Sequence, residues 1–583
     1  MRKIILPFSK TYLKRYSNTR RLFLLLLLAC IMLLPALFFG MELCDSGFYA
    51  TFYDQIFTHP DSVAYNFMYY MSGVAGGVVS AVTGGSLLWL RVAGLLTCLI
   101  CVACSARIYN DRSYDFGLIA AILVICTGAW QSPLSIYNDN MTAALACMSL
   151  TFLTESLFTE SKRRAIIYCC IAAGVAGFNT LTRLPNVLEI LFILLIPTAV
   201  KDRQKMLRLA LAWIGGWLAG LALALVLAYG LGHLSLLEDV IKDLFVMGSS
   251  PDSESTHSLK SLISVQINCW VEIVILMIKL MVTAGIGLYL SKKTKSISLR
   301  IIIAVAFTAP CLYWMITGNI VTVTAAISLA GIICTFHKGF TPRQATPAIA
   351  GFLMMIILPL GSDNGIYNAG TIVLWLAAPA GFNYMKRVYG KTIGWIVCLA
   401  IVAAGGYKAA AGAFYFDDTP LIDMTETVNN DRASYIHTSP LKAQRLTEIL
   451  DTLNIHINSG DTMLVYGSAP MINHLTRTVP ALGCSWPELL TPAMLTSKLD
   501  TSPKPEYILL MRFNTLGGKW GEPSDQYLNG TDKNQNRFHN KDKSSVIREF
   551  IKRNHYLIVC REKEFILFKT PAPTKKTGNI VTG

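Results

Sequence analysis

The chain has 583 residues, of which 53% are hydrophobic and 15% charged, and its mean hydropathy is +0.47. Apolar runs of about 15 to 24 residues recur along it and match the ~20 residues that a helix needs to cross ~30 Å of hydrocarbon. This composition argues against a soluble globular protein. It predicts a polytopic α-helical membrane protein.

The apolar runs predict thirteen transmembrane helices. Their approximate ranges are 22–40, 86–104, 116–131, 141–158, 166–181, 187–200, 209–231, 267–290, 301–317, 320–336, 345–360, 369–384 and 392–412. The first run follows a basic stretch, as in a secretory signal, but its apolar core is too long and no small-x-small cleavage site follows it. We therefore predict that it is an uncleaved first span.

Lysine and arginine are distributed unevenly between alternate loops. About 25 of them lie in the N-terminal segment 1–21 and in six alternate loops, whereas the opposite loops contain Arg183, Lys242 and Lys260. Because Lys and Arg in short loops mark the cytoplasmic side, the N-terminus is predicted to be cytoplasmic and the chain after residue 412 external. The net charge of +15 therefore reflects topology, and no nucleic-acid partner is expected.

Two acidic residues stand at the external ends of predicted spans. Asp45 follows the first span in MELCDSGFYATFYDQ, and Asp139 begins the fourth in SIYNDNMTAAL. Both carboxylates should lie at the same water interface, where a buried or half-buried acid needs a functional reason. We interpret this pair as catalytic groups that act on a lipid-linked substrate.

The first external loop is rich in aromatic residues between positions 45 and 70 and contains no Lys or Arg there. Such a segment is typical of a helix that lies in the headgroup region with its rings in the aromatic belt, or of an ordinary lipid-anchoring loop. Five glycines follow between positions 73 and 85, and they predict a flexible connection to the second span.

The tail from about residue 413 is polar and has a different pattern. Its short β-like runs are TMLVYG, EYILLMRF, YLIVCRE and EFILFK, the last two separated by a tight turn. Helical periodicity appears in SPLKAQRLTEILDTL and SSVIREFIKRN. The tail is therefore predicted to be a small α/β domain, with a mobile loop at 517–542.

Together these features resemble the GT-C superfamily of integral-membrane glycosyltransferases, and within it the protein O-mannosyltransferases and the lipid A aminoarabinose transferases. The resemblance implies a transmembrane module, 22–412, with external loops at 41–85, 131–140, 182–186, 232–266 and 361–368. The external α/β domain would span 413–583. It also implies residence in a bacterial inner membrane with the tail in the periplasm.

The family's motifs map onto individual positions. Asp45 matches its first-loop acid, but Ser46 stands where a second acid often follows, which argues against a two-acid metal site in this loop. Asp139 matches the acid of the second external loop. The stretch GFNTLTRLPN is similar to a family segment, and Arg183 stands at the position where that segment has a basic residue. The resemblance implies transfer of a hexose or pentose from a polyprenyl-phosphate donor to a hydroxyl of a lipid, glycan or protein, with inversion.

The chemistry can also be argued from the residues. A polyprenyl-phosphate sugar already has a phosphate leaving group, so it needs a cation to stabilise the developing charge and a carboxylate base for the acceptor hydroxyl. We predict Asp45 as the base and Asp139 as a second acid that orients the acceptor or binds a divalent cation. The structural alternatives are that Asp45 caps an interfacial helix and Asp139 caps span four.

Two arginines are candidates for binding the lipid phosphate. Arg183 lies in a short external connection, and its guanidinium matches phosphate oxygens in a bidentate way. Arg91, about five residues into the second span, is the other candidate, and snorkelling to the headgroups explains it almost as well. No cofactor is certain, and metal dependence is left open.

Other charged residues are weaker candidates. Glu272 and Lys279 could neutralise each other on one face of span eight. Glu189 and the pair Asp363 and Asn364 could face the same cavity as Asp45. Asp54 and Asp61 also lie in the first loop, and the simplest interpretation is that they are solvated.

Other functional classes remain open. A transporter or flippase of lipid-linked sugars would place its acids near the midplane and within repeated halves, and no repeat is visible in the sequence. A polymerase or ligase of the O-antigen type would rely on Arg and His in a large external loop, but 232–266 contains His233 and His257 and no Arg. A purely structural protein would tolerate replacement of both Asp45 and Asp139.

Overall fold

A computed structural model describes residues 7–132, 134–249, 258–336, 341–516, 520–532 and 538–571. The chain up to about residue 413 is helical, and a small mixed sheet with its own helices follows. The two parts meet at one end of the helical bundle. The candidate functional site lies where they meet.

Helices fill the first part of the chain. They are α1 (Pro7–Phe38), α2 (Asp45–Gln55), α3 (Tyr70–Thr83), α4 (Leu87–Ile108), α5 (Asp115–Ala129), α6 (Asn138–Phe158), α7 (Lys162–Asn179), α8 (Leu195–Ala199), α9 (Arg203–Gly230), α10 (Leu234–Ser249), α11 (Leu259–Lys293), α12 (Ile297–Thr317), α13 (Ile320–Thr335), α14 (Pro342–Ile357), α15 (Ile366–Ala369), α16 (Ala378–Tyr389) and α17 (Lys391–Lys408). Shorter 3-10 segments join some of them, notably Pro60–Tyr69, Leu184–Leu194 and Gly370–Leu374.

Within the described residues, eight helices are long and apolar enough to cross a bilayer. They are Asn18–Phe38, Leu87–Ile108, Arg112–Ala129, Asn138–Phe158, Arg203–Gly230, Leu259–Lys293, Ile297–Thr317 and Lys391–Gly412. Each coincides with a predicted span, so the polytopic α-helical fold is confirmed. The predicted span 166–181 coincides with α7, an uninterrupted helix of 18 residues, and the other four coincide with shorter or interrupted helices. The number thirteen stays a prediction.

Close helix packing in the bundle depends on small residues. A Cβ atom at Gly220 on α9 would lie 1.9 Å from the carbonyl oxygen of Gly174 on α7, and one at Gly177 would lie 2.0 Å from the carbonyl oxygen of Trp217. The two backbones can approach this closely only because these positions lack side chains. Such small-residue contacts replace the hydrophobic driving force that is missing between helices in lipid.

The C-terminal part forms a small α/β domain, as predicted. Its strands are β1 (Glu426–Thr427), β2 (His437–Thr438), β3 (Thr462–Tyr466), β4 (Val479–Pro480), β5 (Tyr507–Met511), β6 (Leu557–Arg561) and β7 (Phe565–Lys569), and its helices are α18 (Pro440–His456), α19 (Met471–Thr476), α20 (Pro492–Thr501), α21 (Asp525–Leu528) and α22 (Lys541–Arg553). The main sheet has the order β4-β3-β5-β7-β6. Strands β4, β3 and β5 are parallel, whereas β7 is antiparallel to both β5 and β6.

All four β-like runs of the sequence are strands, and both helical patterns are helices. Every residue of β5 is buried, which explains its continuous apolar run, since a central strand covered on both faces needs no polar positions. The predicted mobile loop at 517–542 lies partly outside the described residues. In its described part, Tyr527 and His539 are buried and stack on each other with ring centroids 4.2 Å apart.

The aromatic loop after α1 packs against protein, so the prediction that its rings lie among the headgroups is wrong. Phe52, Phe67 and Tyr70 have no exposed surface and belong to one apolar cluster with the core of the sheet domain. The predicted flexible connection is also wrong, because its first glycines lie inside α3. A Cβ at Gly73 would lie 2.2 Å from the ring of Phe52.

Helix α2 docks directly on the sheet domain. A Cβ at Gly47 would lie 2.0 Å from the backbone nitrogen of Met471, so only glycine allows this contact. The same Met471 nitrogen donates to the carbonyl of Leu43 at 3.0 Å, and the Thr51 hydroxyl donates to the carbonyl of Pro470 at 3.1 Å. The sheet domain therefore holds the start of α2, which carries Asp45.

Asp54 ties the same helix to the sheet domain and is not solvated, contrary to the prediction. Its Oδ2 lies 2.5 Å from Nη1 of Arg432 and 2.6 Å from Nδ1 of His474. Burial opposes ionisation of Asp54, but the charges of its two partners and their hydrogen bonds outweigh it, so its pKa is lowered. These two ion pairs connect helix α2 to the sheet domain, so they stabilise the contact between them.

Candidate functional site

Two adjoining cavities lie between the ends of the membrane helices and the sheet domain. The first, here called the membrane-side chamber, has a volume of about 260 Å³ and is lined by Asp45, Tyr49, Cys98, Ala129, Ser132, Leu134, Tyr137, Asn138, Asp139, Asn140, Asn364, Tyr367, Asn368, Ala369, Thr371, Ile372 and Phe416. The second, the domain-side chamber, has a volume of about 330 Å³. It is lined by Glu42, Asp45, Phe48, Tyr49, Tyr65, Tyr69, Asn138, Arg183, Gly361, Ser362, Asp363, Asn364, Asn368, Phe416, Trp486, Leu489, Leu516 and Phe538.

Asp45 lies where the two chambers meet and lines both. It is the first residue of α2, and its side chain does not cap that helix, so the structural alternative of a capping role is not supported. Glu42 caps it instead. Its carboxylate accepts hydrogen bonds from the backbone nitrogens of Cys44 at 2.5 Å, Asp45 at 3.0 Å and Ser46 at 2.6 Å.

Asp45 is surrounded by other acids. Burial, and after it electrostatic repulsion by nearby carboxylates, together raise the pKa of Asp45 to about 8. The repelling carboxylates, in order of effect, are Glu42, Asp363 and Asp139. A carboxyl group in this environment can take up a proton near neutral pH, which is the property that general-base catalysis requires.

Asp139 lies in the first turn of α6 and lines the membrane-side chamber. The cap position of that helix is Tyr137, and it makes no side-chain capping bond, so the NDN sequence does not act as a cap. The Oδ1 of Asp139 lies 3.2 Å from Nη1 of Arg183. The neighbouring Asn138 accepts a hydrogen bond from the hydroxyl of Tyr49 at 2.5 Å, which connects α6 to α2.

Arg183 is buried, with 4% of its surface exposed, and it lines the domain-side chamber. Its Nη1 donates to the carbonyl of Leu358 at 2.5 Å and contacts Asp139. Within the described part of the chain, Nε and Nη2 have no protein acceptor. Half of the guanidinium is therefore fixed by protein, and the other half remains for a ligand.

The segment that follows Arg183 exposes apolar side chains. These side chains are Val187, Leu188, Leu191 and Leu194, which are between 36% and 50% exposed. Because this segment coincides with a predicted span, its exposed side chains would face lipid. Arg183 thus lies at one end of an apolar surface.

Arg91 does not line either chamber. It is 3% exposed, and its guanidinium donates to carbonyls at the end of α1, among them Phe39 at 2.9 Å and Gly40 at 2.6 Å. It also lies over the ring of Tyr415, 3.7 Å from the centroid. These contacts use its charge to satisfy the free carbonyls of a helix C-terminus, so it neither snorkels nor faces the site of Asp45.

Sequence reasoning missed Glu42 altogether. Glu42 precedes Asp45, the first residue of α2, by three residues, and an acid there can accept the free N–H groups of the first turn. Of the weaker candidates, Asp363 and Asn364 do line the domain-side chamber. Glu189 lines neither chamber and accepts from Asn179 at 2.6 Å, and Glu272 accepts a hydrogen bond from Tyr367.

A metal site is not evident from the acids. Within the described residues, no group of three or more His, Cys, Asp or Glu side chains is arranged to hold a metal ion. The carboxylates of Glu42, Asp45, Asp139 and Asp363 are instead spread around the chambers. Binding of a divalent cation at Asp139 stays a prediction.

No protein-family model matches the chain, and no curated protein matches it. Among solved structures, the Archaeoglobus fulgidus oligosaccharyltransferase in complex with Zn and sulfate is 12% identical, with a TM-score of 0.45, over 84% of this chain and 67% of that one. ArnT from Cupriavidus metallidurans in the apo state is 13% identical, with a TM-score of 0.41, over 95% of this chain and 98% of that one. The same ArnT bound to undecaprenyl phosphate is 13% identical, with a TM-score of 0.37, over 97% and 99% of the two chains.

These similar structures are an oligosaccharyltransferase and two structures of ArnT. Because all of their TM-scores lie below 0.5, the functional argument rests on the side chains of this protein.

Proposed function

We propose that the protein is a membrane glycosyltransferase that moves a hexose or pentose from a polyprenyl-phosphate donor to a hydroxyl group, with inversion. The observation that supports this function best is the arrangement of three side chains. Asp45 lies at the junction of two chambers, Asp139 lines one of them, and the half-free guanidinium of Arg183 lines the other. A carboxylate base beside a phosphate-binding cation is what this transfer needs.

In this proposal the lipid phosphate binds in the domain-side chamber at Nε and Nη2 of Arg183. The fixed orientation of the guanidinium, imposed by Leu358 and Asp139, would avoid reorganisation when negative charge develops on the departing phosphate. The polyprenyl tail would lie along the exposed apolar side chains that follow Arg183. This position keeps the reacting phosphate at the end of the membrane helices while the tail stays in lipid.

Asp45 takes the proton of the attacking hydroxyl. Its raised pKa of about 8 means that only roughly a tenth of the free site is ionised at pH 7. The benefit is a stronger base, since a carboxylate with a higher pKa accepts a proton more readily in the transition state. A positive charge bound nearby, on a substrate or as a cation at Asp139, would increase the ionised fraction.

We propose a structural role for Arg91, because its donors are already used at the end of α1. The cytoplasmic N-terminus, the periplasmic sheet domain and residence in a bacterial inner membrane are likewise proposals, and the charge distribution of the loops supports the topology. On this topology the reaction takes place at the external face, where both chambers lie.

Binding of the lipid phosphate tests the proposal without knowledge of the sugar. Undecaprenyl phosphate would be titrated onto the purified full-length protein in lipid nanodiscs, with the corresponding uncharged polyprenol as the comparison ligand. We expect binding that depends on the phosphate, that weakens in Arg183→Ala and that is unchanged in Arg91→Lys, which keeps the charge at the end of α1. Equal binding of phosphate and polyprenol would contradict the proposed site.

A further inference from the structure

The polar lining of the membrane-side chamber is dominated by neutral amides. Four asparagines line it, namely Asn138, Asn140, Asn364 and Asn368. A side-chain amide offers two donors and an acceptor in one plane, so it can bind two neighbouring hydroxyl groups at once. An apolar lipid tail would leave these amides without partners, and their desolvation would be costly.

Two of the amides are available for a ligand. Asn138 and Asn140 are already engaged, since Asn138 accepts from Tyr49 and Asn140 donates to the carbonyl of Ser135 at 2.6 Å. The side chains of Asn364 and Asn368 are exposed and have no hydrogen-bond partner among the residues that the structure describes. They lie four positions apart, Asn364 just before the short helix α15 and Asn368 within it, and both line the membrane-side chamber where it adjoins the domain-side chamber.

The charges of this chamber restrict its ligand. Its lining includes the carboxylates Asp45 and Asp139 and contains no lysine or arginine among the described residues. The guanidinium of Arg183 lines the other chamber, and its Nη1 lies 3.2 Å from Oδ1 of Asp139. Asp45 has no such ion pair among the described residues, so an anionic group would meet an unpaired acid, which is unfavourable in a partly desolvated cavity.

The stereochemistry of the proposed reaction assigns the chambers to different substrates. In an inverting displacement, the attacking oxygen approaches the anomeric carbon from the side opposite the leaving group. If the phosphate binds at Arg183 in the domain-side chamber, the acceptor must reach the anomeric carbon from the membrane-side chamber. Asp45, which lines both, is then placed beside the attacking hydroxyl.

We propose that the membrane-side chamber is the acceptor subsite and that it binds an uncharged polyol, the hydroxyl groups of a neutral sugar residue, through Asn364 and Asn368. This inference rests on the proposed function. In the reaction, the bond between the acceptor oxygen and the anomeric carbon forms as the bond from that carbon to the phosphate oxygen breaks. The electron pair leaves with the phosphate, and the hydroxyl proton passes to Asp45.

Saturation-transfer NMR on the full-length protein in nanodiscs, without glycoside detergent, tests the subsite. The probes are methyl α-mannopyranoside as a neutral sugar, glucose 1-phosphate as an anionic sugar and N-acetylserinamide as a hydroxyl compound that is not a polyol. The variants are Asn364→Ala and Asn368→Ala, and the matched control is Asn454→Ala on the exposed face of α18.

We expect saturation transfer to the neutral glycoside that far exceeds transfer to the other two probes. Losing one amide should weaken binding roughly 3- to 10-fold, as expected for one or two hydrogen bonds, while Asn454→Ala leaves it unchanged. Preference for the sugar phosphate or the serine compound would overturn the proposal. So would binding of the neutral glycoside by Asn364→Ala and Asn368→Ala that is as strong as in the wild type.

The titration with undecaprenyl phosphate separates failure of this inference from failure of the proposed function. If the lipid binds in an Arg183-dependent way but the neutral glycoside does not bind, the polyol subsite is wrong and the transferase proposal stands. If neither ligand binds to folded protein, both are wrong.

Discussion

Replacing Asp45 with asparagine should separate catalysis from stability. The substitution keeps size and hydrogen bonding but removes the base, so transfer should slow by roughly 100-fold or more, which corresponds to about 2.7 kcal/mol of transition-state free energy. Expression and binding of the lipid phosphate should survive, because Arg183 is unchanged. The rate would be measured in single turnover, with the protein reconstituted in lipid.

The same variant should be slower in transfer but more stable than the wild type at neutral to alkaline pH. The folded-state pKa of Asp45, about 8, lies above its usual value of 3.8, so the folded protein binds an extra proton between these limits. Stability of the wild type therefore falls as pH rises through this window. Asp45→Asn cannot ionise, so it should match the wild type near pH 4 and exceed it, by on the order of a few kcal/mol, near pH 8.

Asp54→Asn is the matched control, because it alters an acid on the same helix that makes no contribution to either chamber. It breaks the ion pairs with Arg432 and His474, so it should lower the unfolding temperature at neutral pH. Near wild-type transfer by Asp45→Asn would refute the base assignment. A less stable Asp45→Asn protein at pH 8 would refute the electrostatic explanation.

Three further predictions concern neighbouring groups and the topology. Arg183→Ala should weaken donor binding and slow transfer, whereas Arg183→Lys should retain part of both, because the charge remains and the bidentate geometry is lost; unchanged affinity and rate in the alanine variant would move the phosphate site elsewhere. Glu42→Gln removes the strongest repulsion on Asp45, so the pH at which activity is half-maximal should fall below that of the wild type, and an unmoved pH profile would reject this coupling. A cysteine at Asn454 in a Cys560→Ser background should react with a membrane-impermeant maleimide in intact spheroplasts, and labelling only after permeabilisation would reverse the proposed topology.

The secondary structure was predictable because it follows local patterns. Each of the four β-like runs in the tail is a strand, and the long apolar runs are helices, since periodicity and length are encoded within short segments. The position of Asp45 after the first span was predictable for the same reason. Its place at the junction of two chambers was not, because that depends on the docking of α2 against the sheet domain.

The errors share one physical cause, the contact between distant parts of the chain. Phe52 and Phe67 were assigned to lipid because an aromatic cluster without charges suits both the headgroup region and a protein core. Asp54 was assigned to solvent because its partners Arg432 and His474 follow 378 and 420 residues later. The contacts of Arg91 with the end of α1 are likewise tertiary, and its sequence position alone suggested a phosphate site.

The most direct test is an experimental structure of the full-length protein in nanodiscs with undecaprenyl phosphate bound. We expect density for the phosphate in the domain-side chamber, within hydrogen-bonding distance of Nε and Nη2 of Arg183, with Asp45 on the opposite side of the space left for a sugar. A phosphate bound at Arg91, or outside both chambers, would contradict the proposed arrangement of donor, base and acceptor.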